Sequence, residues 1–245
     1  MDTFMSQESF IPLFHEVGSG KSGFCKEQSK YKISWSAYKD FLAMLLEYMP
    51  GVKLLTFDDG GYSNYEAAIY AASLGFRVKL FICPAYIGAE GFLSEKDLRR
   101  LDLIPEIDVC SHSFSHPDGF NFLNKFKKSE ELLESRASLE EILERPVLEF
   151  SFPGGLATNR DVKLAKNIYD KVYTSWRVVY CDSVGMRRVS IEKTNIDLII
   201  SAIEKKRSLY PYLLLQDMKL VIQLVCGNIF RLFRTQKNKK IKNIS

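Results

Sequence analysis

Two adjacent aspartates, Asp58 and Asp59, close an apolar run and precede two glycines in LLTFDDGGYSN, residues 54–64. Neighbouring carboxylates repel, so their placement has two explanations. An Asp-Gly pair marks a turn where a strand stops. Alternatively a cation sits there, one carboxylate holding it and the other taking up a proton. A second stretch, SHSFSHPD at 111–118, places two of the chain's three histidines, His112 and His116, four residues apart. On a helical turn that spacing brings both imidazoles to one side, as in HExxH zinc motifs. Pro117 and the small serines between them instead suggest a turn leaving a strand. An isolated HxxxH pair reads equally as two capping or surface histidines. With a strand-end carboxylate it becomes two imidazoles and an acid, with a position left for water, which is an open catalytic site for zinc or a related divalent ion. Either aspartate can be the ligand, and the other is then free to act as a base. Neighbouring strand residues point to opposite faces, but Gly60 and Gly61 let the backbone leave that geometry, so both carboxylates can converge. A bound cation offsets their repulsion and keeps both ionised.

The elements that must position these residues alternate along the chain. Helical spacing is expected over 35–49 (with Ser34 or Ser36 as cap), 62–76, 93–101 (Ser94 and Asp97 in capping-box spacing), 122–144 and 159–170. Strands are expected over 51–57, 77–84, 107–112, 147–153 and 171–176. This rhythm predicts a single α/β domain with a largely parallel sheet, open or closed into a barrel. In such folds functional residues gather on loops leaving the C-terminal ends of strands. Asp58 and Asp59, His112, and the FPGG turn at 152–155 all fall at such ends, so three chemistry-bearing loops share one face.

Composition bounds the possibilities. Apolar content of 46% and charged content of 26% are globular values and exclude wholesale disorder. A net charge of +4 spread over mixed signs gives no basic stripe, so nucleic acid is not expected as a partner. Five cysteines (Cys25, Cys83, Cys110, Cys181 and Cys226) without a CxxC pair argue for reduced thiols and a cytoplasmic setting. The opening residues lack a secretory pattern, and no stretch is long and apolar enough for a membrane span.

TFDDG (56–60) followed by HSFSH (112–116) resembles the polysaccharide deacetylase family, also called the NodB-homology or carbohydrate esterase 4 family. The stretches at 75–88, 91–101, 150–155 and 169–176 are similar to family text, and the likeness runs from about residue 9 to 191. The resemblance implies an irregular (β/α) barrel and a metal-dependent hydrolase that removes N-acetyl or O-acetyl groups from sugars. It implies Asp58 as general base and Asp59, His112 and His116 as ligands of a divalent ion, zinc being the expectation. The tetrahedral oxyanion would be held by the metal and by a backbone N–H near Gly154, with Phe152 and Pro153 framing that turn. The substrate would be an acetylated sugar or glycan.

Two departures from the family pattern stand out. Many members carry an acid histidine near the C-terminus, whereas this chain has none after His116. IPLFHEVGS (11–19) resembles a branch whose histidine precedes the aspartates, which makes His15 the candidate acid. Most members also carry an arginine where Ser151 stands and an aromatic where Gly154 stands. Their absence removes the usual tuning of the base and an aromatic wall against the sugar.

The chain divides into a deacetylase-like region over 1–210 and a C-terminal segment over 211–245. From Lys219 that segment has no acidic residue, and an apolar helical pattern runs into a basic tail. This suits either a packing helix with a solvated tail or peripheral contact with an anionic membrane at its cytosolic face. Three further readings are a deacetylase or amidohydrolase of small substrates, a sugar-binding protein with decayed chemistry, and a phosphate-loop protein. GSGKSG (18–23) lacks the spacing of a phosphate loop, so the last is discarded.

Overall fold

The computed structural model describes residues 10–19, 22–25, 29–175, 186–207, 209 and 212. The elements run β1 Pro12–Phe14, β2 Glu16–Val17, β3 Lys32–Ile33, α1 Trp35–Tyr48, β4 Leu54–Phe57, α2 Asn64–Ser73, β5 Arg77–Ile82, α3 Glu95–Asp102 and β6 Ile107–Ser111. They continue with α4 Lys125–Leu143, β7 Glu149–Ser151, α5 Asn159–Lys166, β8 Lys171–Thr174, β9 Met186–Arg187, β10 Val189–Ser190 and α6 Ile196–Glu204. The strand-helix alternation expected from the sequence is present, with element ends shifted by up to a few residues. Most strands are shorter than expected, as at Leu54–Phe57 and Glu149–Ser151.

Eight strands form one sheet in the order β10-β1-β4-β5-β6-β7-β8-β9, every pairing parallel. The sheet's two edges meet through a single residue. Arg188 N–H donates to Thr174 O at 3.0 Å on one edge, and Val189 N–H donates to Ile11 O at 2.8 Å on the other. The sheet therefore curls into the irregular (β/α) barrel that the resemblance implied. A small parallel pair, β2 with β3, lies beside it.

Alternation along β5 shows how the strands divide their side chains between two environments. Val78, Leu80 and Ile82 join the large core under the helices, alongside Phe41, Leu42 and Leu45 of α1 and Leu98 and Leu101 of α3. Phe81 points the other way, into a small cluster with Ile11, Cys110 and Tyr173 inside the ring. Lys79 faces the same interior and pairs with Asp108 at 3.0 Å and Glu149 at 2.9 Å. The lumen thus has a paired ionic floor and an apolar middle, which leaves its upper rim for the site.

N-caps begin two helices where the sequence predicts. Ser34, not Ser36, caps α1 by accepting from Ala37 N–H at 3.1 Å, a contact worth about 1 kcal/mol. Ser94 and Asp97 form the expected capping box on α3. Helix α4 differs from a simple apolar stripe, because its buried residues include Lys128 and Ser135 beside Leu132 and Leu139. Lys128 is matched by Asp161 at 2.6 Å and Ser135 by Ser111 Oγ at 2.7 Å, so neither polar group is buried alone.

Among the described residues no helix is long and apolar enough to cross a membrane. Cys25, Cys83 and Cys110 are free and buried. Cys181, Cys226 and the expected C-terminal helix and basic tail lie outside the described residues.

Candidate metal centre and catalytic cleft

Four strand ends build the site. Asp58 continues the ladder after β4, its N–H donating to Phe14 O at 3.0 Å. Asp59 then turns into the left-handed region with φ 76°, and Gly60 follows at the same φ. Convergence of the carboxylates therefore comes from Asp59 itself together with Gly60, and Gly61 contributes differently, as described below. After β6, His112 keeps its ladder bond to Ile82 O at 2.9 Å. Ser113 (φ 63°) and His116 (φ 50°) then reverse the chain. The two histidines come together through this turn, and no helix is involved. Among the described residues, three of the five non-glycine positions with positive φ are Asp59, Ser113 and His116. Each such residue costs roughly 1–2 kcal/mol, and strain of this kind concentrates where geometry serves chemistry. Glu131 of α4 pins the turn by accepting from Ser115 N–H at 2.9 Å.

The donor atoms of Asp59, His112 and His116 lie within 4.8 Å of one another. His112 Nε2 stands 3.5 Å and His116 Nε2 3.4 Å from Asp59 Oδ1. His112 Nδ1 donates to Ser151 O at 2.9 Å, which turns the Nε2 lone pair toward Asp59. One carboxylate and two imidazoles, one of them oriented from behind, fit a divalent cation. Asp58 sits beside this group, its Oδ2 3.6 Å from His112 Nε2.

The expectation that no arginine reaches the base is overturned. Arg188, at the junction of the two sheet edges, donates from Nη1 to Asp58 Oδ1 at 2.5 Å and from Nη2 to Asp58 Oδ2 at 2.8 Å. Its Nη2 also donates to Ser151 Oγ at 2.5 Å. The guanidinium lies 5.0 Å from the Phe81 ring centroid and is fully buried. Ser151 thus leaves room for a guanidinium that arrives from elsewhere. A lone arginine between two two-residue strands has no spacing signature, and the consecutive Arg187 and Arg188 are its only trace in the sequence.

The electrostatics follow from this packing. Burial pushes the Asp58 carboxyl up, but the charges of Arg188 and His112 outweigh it and hold the group below the usual carboxylate range. Burial likewise opposes ionisation of Asp59, and the His112 hydrogen bond with the surrounding imidazoles draws it down further. Burial lowers His112, yet the two carboxylates carry its net shift upward, whereas burial and the neighbouring His112 lower His116.

A cavity of about 980 Å³ opens over these groups. His15 lines it, its ring centroid 4.6 Å from that of Tyr31 and its Nδ1 buried without a hydrogen-bond partner. Gly154 and Gly155 form a bare wall, and a Cβ at Gly154 would meet nothing within 4 Å. Phe152 and Pro153 do not line the cavity. Phe152 is buried against Phe120 and Phe150, with ring centroids 5.4 and 4.8 Å away.

Glu16 lies beneath the rim and went unremarked in the sequence. Fully buried, it accepts from the Ser63 hydroxyl, and its Oε1 has no partner. A Cβ at Gly61 would stand 1.9 Å from Oε1, and one at Gly23 2.2 Å, so both glycines are there for close approach. Burial pushes the Glu16 carboxyl from 4.5 up to about 7.

The family model for polysaccharide deacetylase matches residues 49–170. No curated protein matches the chain. A polysaccharide deacetylase from Bacillus cereus is 20% identical with a TM-score of 0.63, over 79% of this chain and 68% of its own. IcaB from Ammonifex degensii is 19% identical at 0.62, over 79% and 96%. The deacetylase PplD of Streptococcus pyogenes, solved with acetate, is 14% identical at 0.63, again over 79% and 96%. With this fold and these motifs, the chain belongs to the polysaccharide deacetylase family.

Proposed function

We propose that the chain is a metal-dependent hydrolase that removes acetyl groups, N-acetyl foremost, from a sugar or polysaccharide precursor, with zinc as the cation. One observation carries this reading. Asp59, His112 and His116 converge within 4.8 Å, while a second carboxylate, Asp58, stands beside them on an arginine fork. The acetate in the Streptococcus pyogenes structure is the product such a reaction would release.

A divalent cation held by Asp59, His112 and His116 would supply Lewis acidity, lowering the pKa of water and polarising the acetyl carbonyl. Asp58 accepts the proton of the attacking water. Arg188 keeps that carboxylate ionised and fixes both oxygens. A backbone N–H near Gly154 faces the developing oxyanion from the cavity wall. His15 protonates the leaving nitrogen, so the products are acetate and a free amino sugar. A cavity of about 980 Å³ exceeds the needs of one sugar ring and favours a glycan over a small acetamide.

The test is elemental analysis of protein purified without chelator, combined with acetate release from an N-acetylated oligosaccharide before and after chelation. One equivalent of metal, with activity lost on chelation and restored by zinc, is the expected result. Protein that neither carries nor takes up metal would overturn the reading.

A further inference from the structure

The bare wall at Gly154 raises the question of where a sugar ring would find apolar surface, and another part of the cavity lining answers it. Phe24 is 40% exposed on the cavity lining, its ring centroid 5.0 Å from that of His116. Tyr86 braces it edge-on at 4.7 Å and Phe92 at 5.0 Å, and those two rings stack on each other at 5.1 Å.

The loop that presents Phe24 is tied down on several sides. Ser22 and Cys25 form an antiparallel bridge around it. Gly23 N–H donates to Gly91 O at 2.7 Å, and Ser22 Oγ accepts from Ser63 N–H at 2.8 Å. Glu16 packs directly under Gly23. A large aromatic held this firmly, yet left open toward a cleft, bears the cost of exposure without burying itself. That arrangement suits a ligand that brings its own hydrocarbon face.

We propose that Phe24, backed by Tyr86 and Phe92, is the platform on which the sugar ring of the substrate stacks, taking over the role of the aromatic absent at position 154. The proposal rests on the sugar-deacetylase reading above. A pyranose presents C–H groups on its ring face and hydroxyls around its edge. Its ring face therefore packs on an aromatic while its polar edge stays solvated or hydrogen-bonded. With its acetyl group among Asp58, Asp59 and His116, the ring occupies the adjoining part of the cavity, beside Phe24. The cavity lining also includes Tyr31 and the Lys30–Glu192 ion pair at 3.0 Å, a polar stretch that suits hydroxyl groups.

The experiment uses tri-N-acetylchitotriose as the probe. Phe24→Ala is expected to raise KM about tenfold, with most of the loss in KM and metal content equal to wild type. Phe24→Trp is expected to restore KM to within about threefold. Binding of the same trisaccharide is also measured by NMR in the slow Asp58→Asn background, with and without Phe24→Ala, which separates stacking from turnover. Weaker binding on loss of Phe24 supports the platform even if wild type releases no acetate, in which case only the catalytic reading falls. Equal binding, no binding in either protein, or loss of metal with Phe24→Ala overturns it, the last making Phe24 a brace for His116.

Discussion

Arg188 and Asp58 are joined by a two-pronged contact, Nη1 to Oδ1 at 2.5 Å and Nη2 to Oδ2 at 2.8 Å, across 130 residues of chain. The pair is buried, so removing the cation strands a carboxylate and lowers stability as well as activity. Arg188→Ala should reduce kcat on the order of 100-fold while metal is retained. Because Ser151 Oγ stands 2.5 Å from Arg188 Nη2, Ser151→Arg added to Arg188→Ala should return an arginine to the base and recover at least about tenfold. Steady-state kinetics with elemental analysis check both, and a double variant no better than the single would remove Arg188 from its assigned role.

The two aspartates should separate cleanly. Asp58→Asn keeps all three candidate ligands and should bind metal normally while losing roughly 10²–10⁴ in kcat, the range expected for a general base. Asp59→Asn and His116→Ala each remove a ligand and should emerge with little or no metal. Metal content against turnover for the three variants decides the assignment.

For His15 the informative comparison is between leaving groups. An amine must be protonated as it departs, whereas a nitrophenolate leaves without help. His15→Ala should keep its metal and lose most turnover on an N-acetyl sugar, and lose far less on 4-nitrophenyl acetate. Equal losses on both would exclude an acid role.

Glu16 makes stability depend on pH. Its carboxyl, raised to about 7 in the fold from 4.5, binds a proton more tightly in the native state than in the unfolded chain. The stabilisation from this group is complete below pH 4.5 and is lost as pH rises through 7, an effect on the order of 3 kcal/mol. Glu16→Gln cannot ionise. Its Tm relative to wild type should therefore rise between pH 5 and pH 8, as measured by thermal melts of both proteins at matched metal loading. A difference that stays flat with pH contradicts the raised value.

Legibility of the sequence followed the range of the interaction. Asp58, Asp59, His112 and His116 were found because their spacing is local, and β4 and β6 were found because strands covered on both faces read as apolar runs. The turn geometry was not legible: the HxxxH spacing suggested a helix, while Ser113 and His116 use left-handed backbone. Arg188 and Phe24 reach the site from chain far from either motif, through contacts that leave no period behind. Strands β1, β2 and β3 were missed because two or three residues are too few to alternate. Lys79 was hidden inside the strand RVKLFI, where only the ring's closure explains a buried ammonium.

The wedge of Glu16 between Gly23 and Gly61 couples the evolution of positions 16 and 61. While an acid of that length occupies residue 16, neither glycine can gain a methyl group without evicting it. A descendant with a shorter side chain at 16 would release Gly61, whereas Gly23 would stay fixed by its own backbone, at φ 54°. Among relatives, substitutions at 16 and 61 should be inherited together while 23 remains glycine.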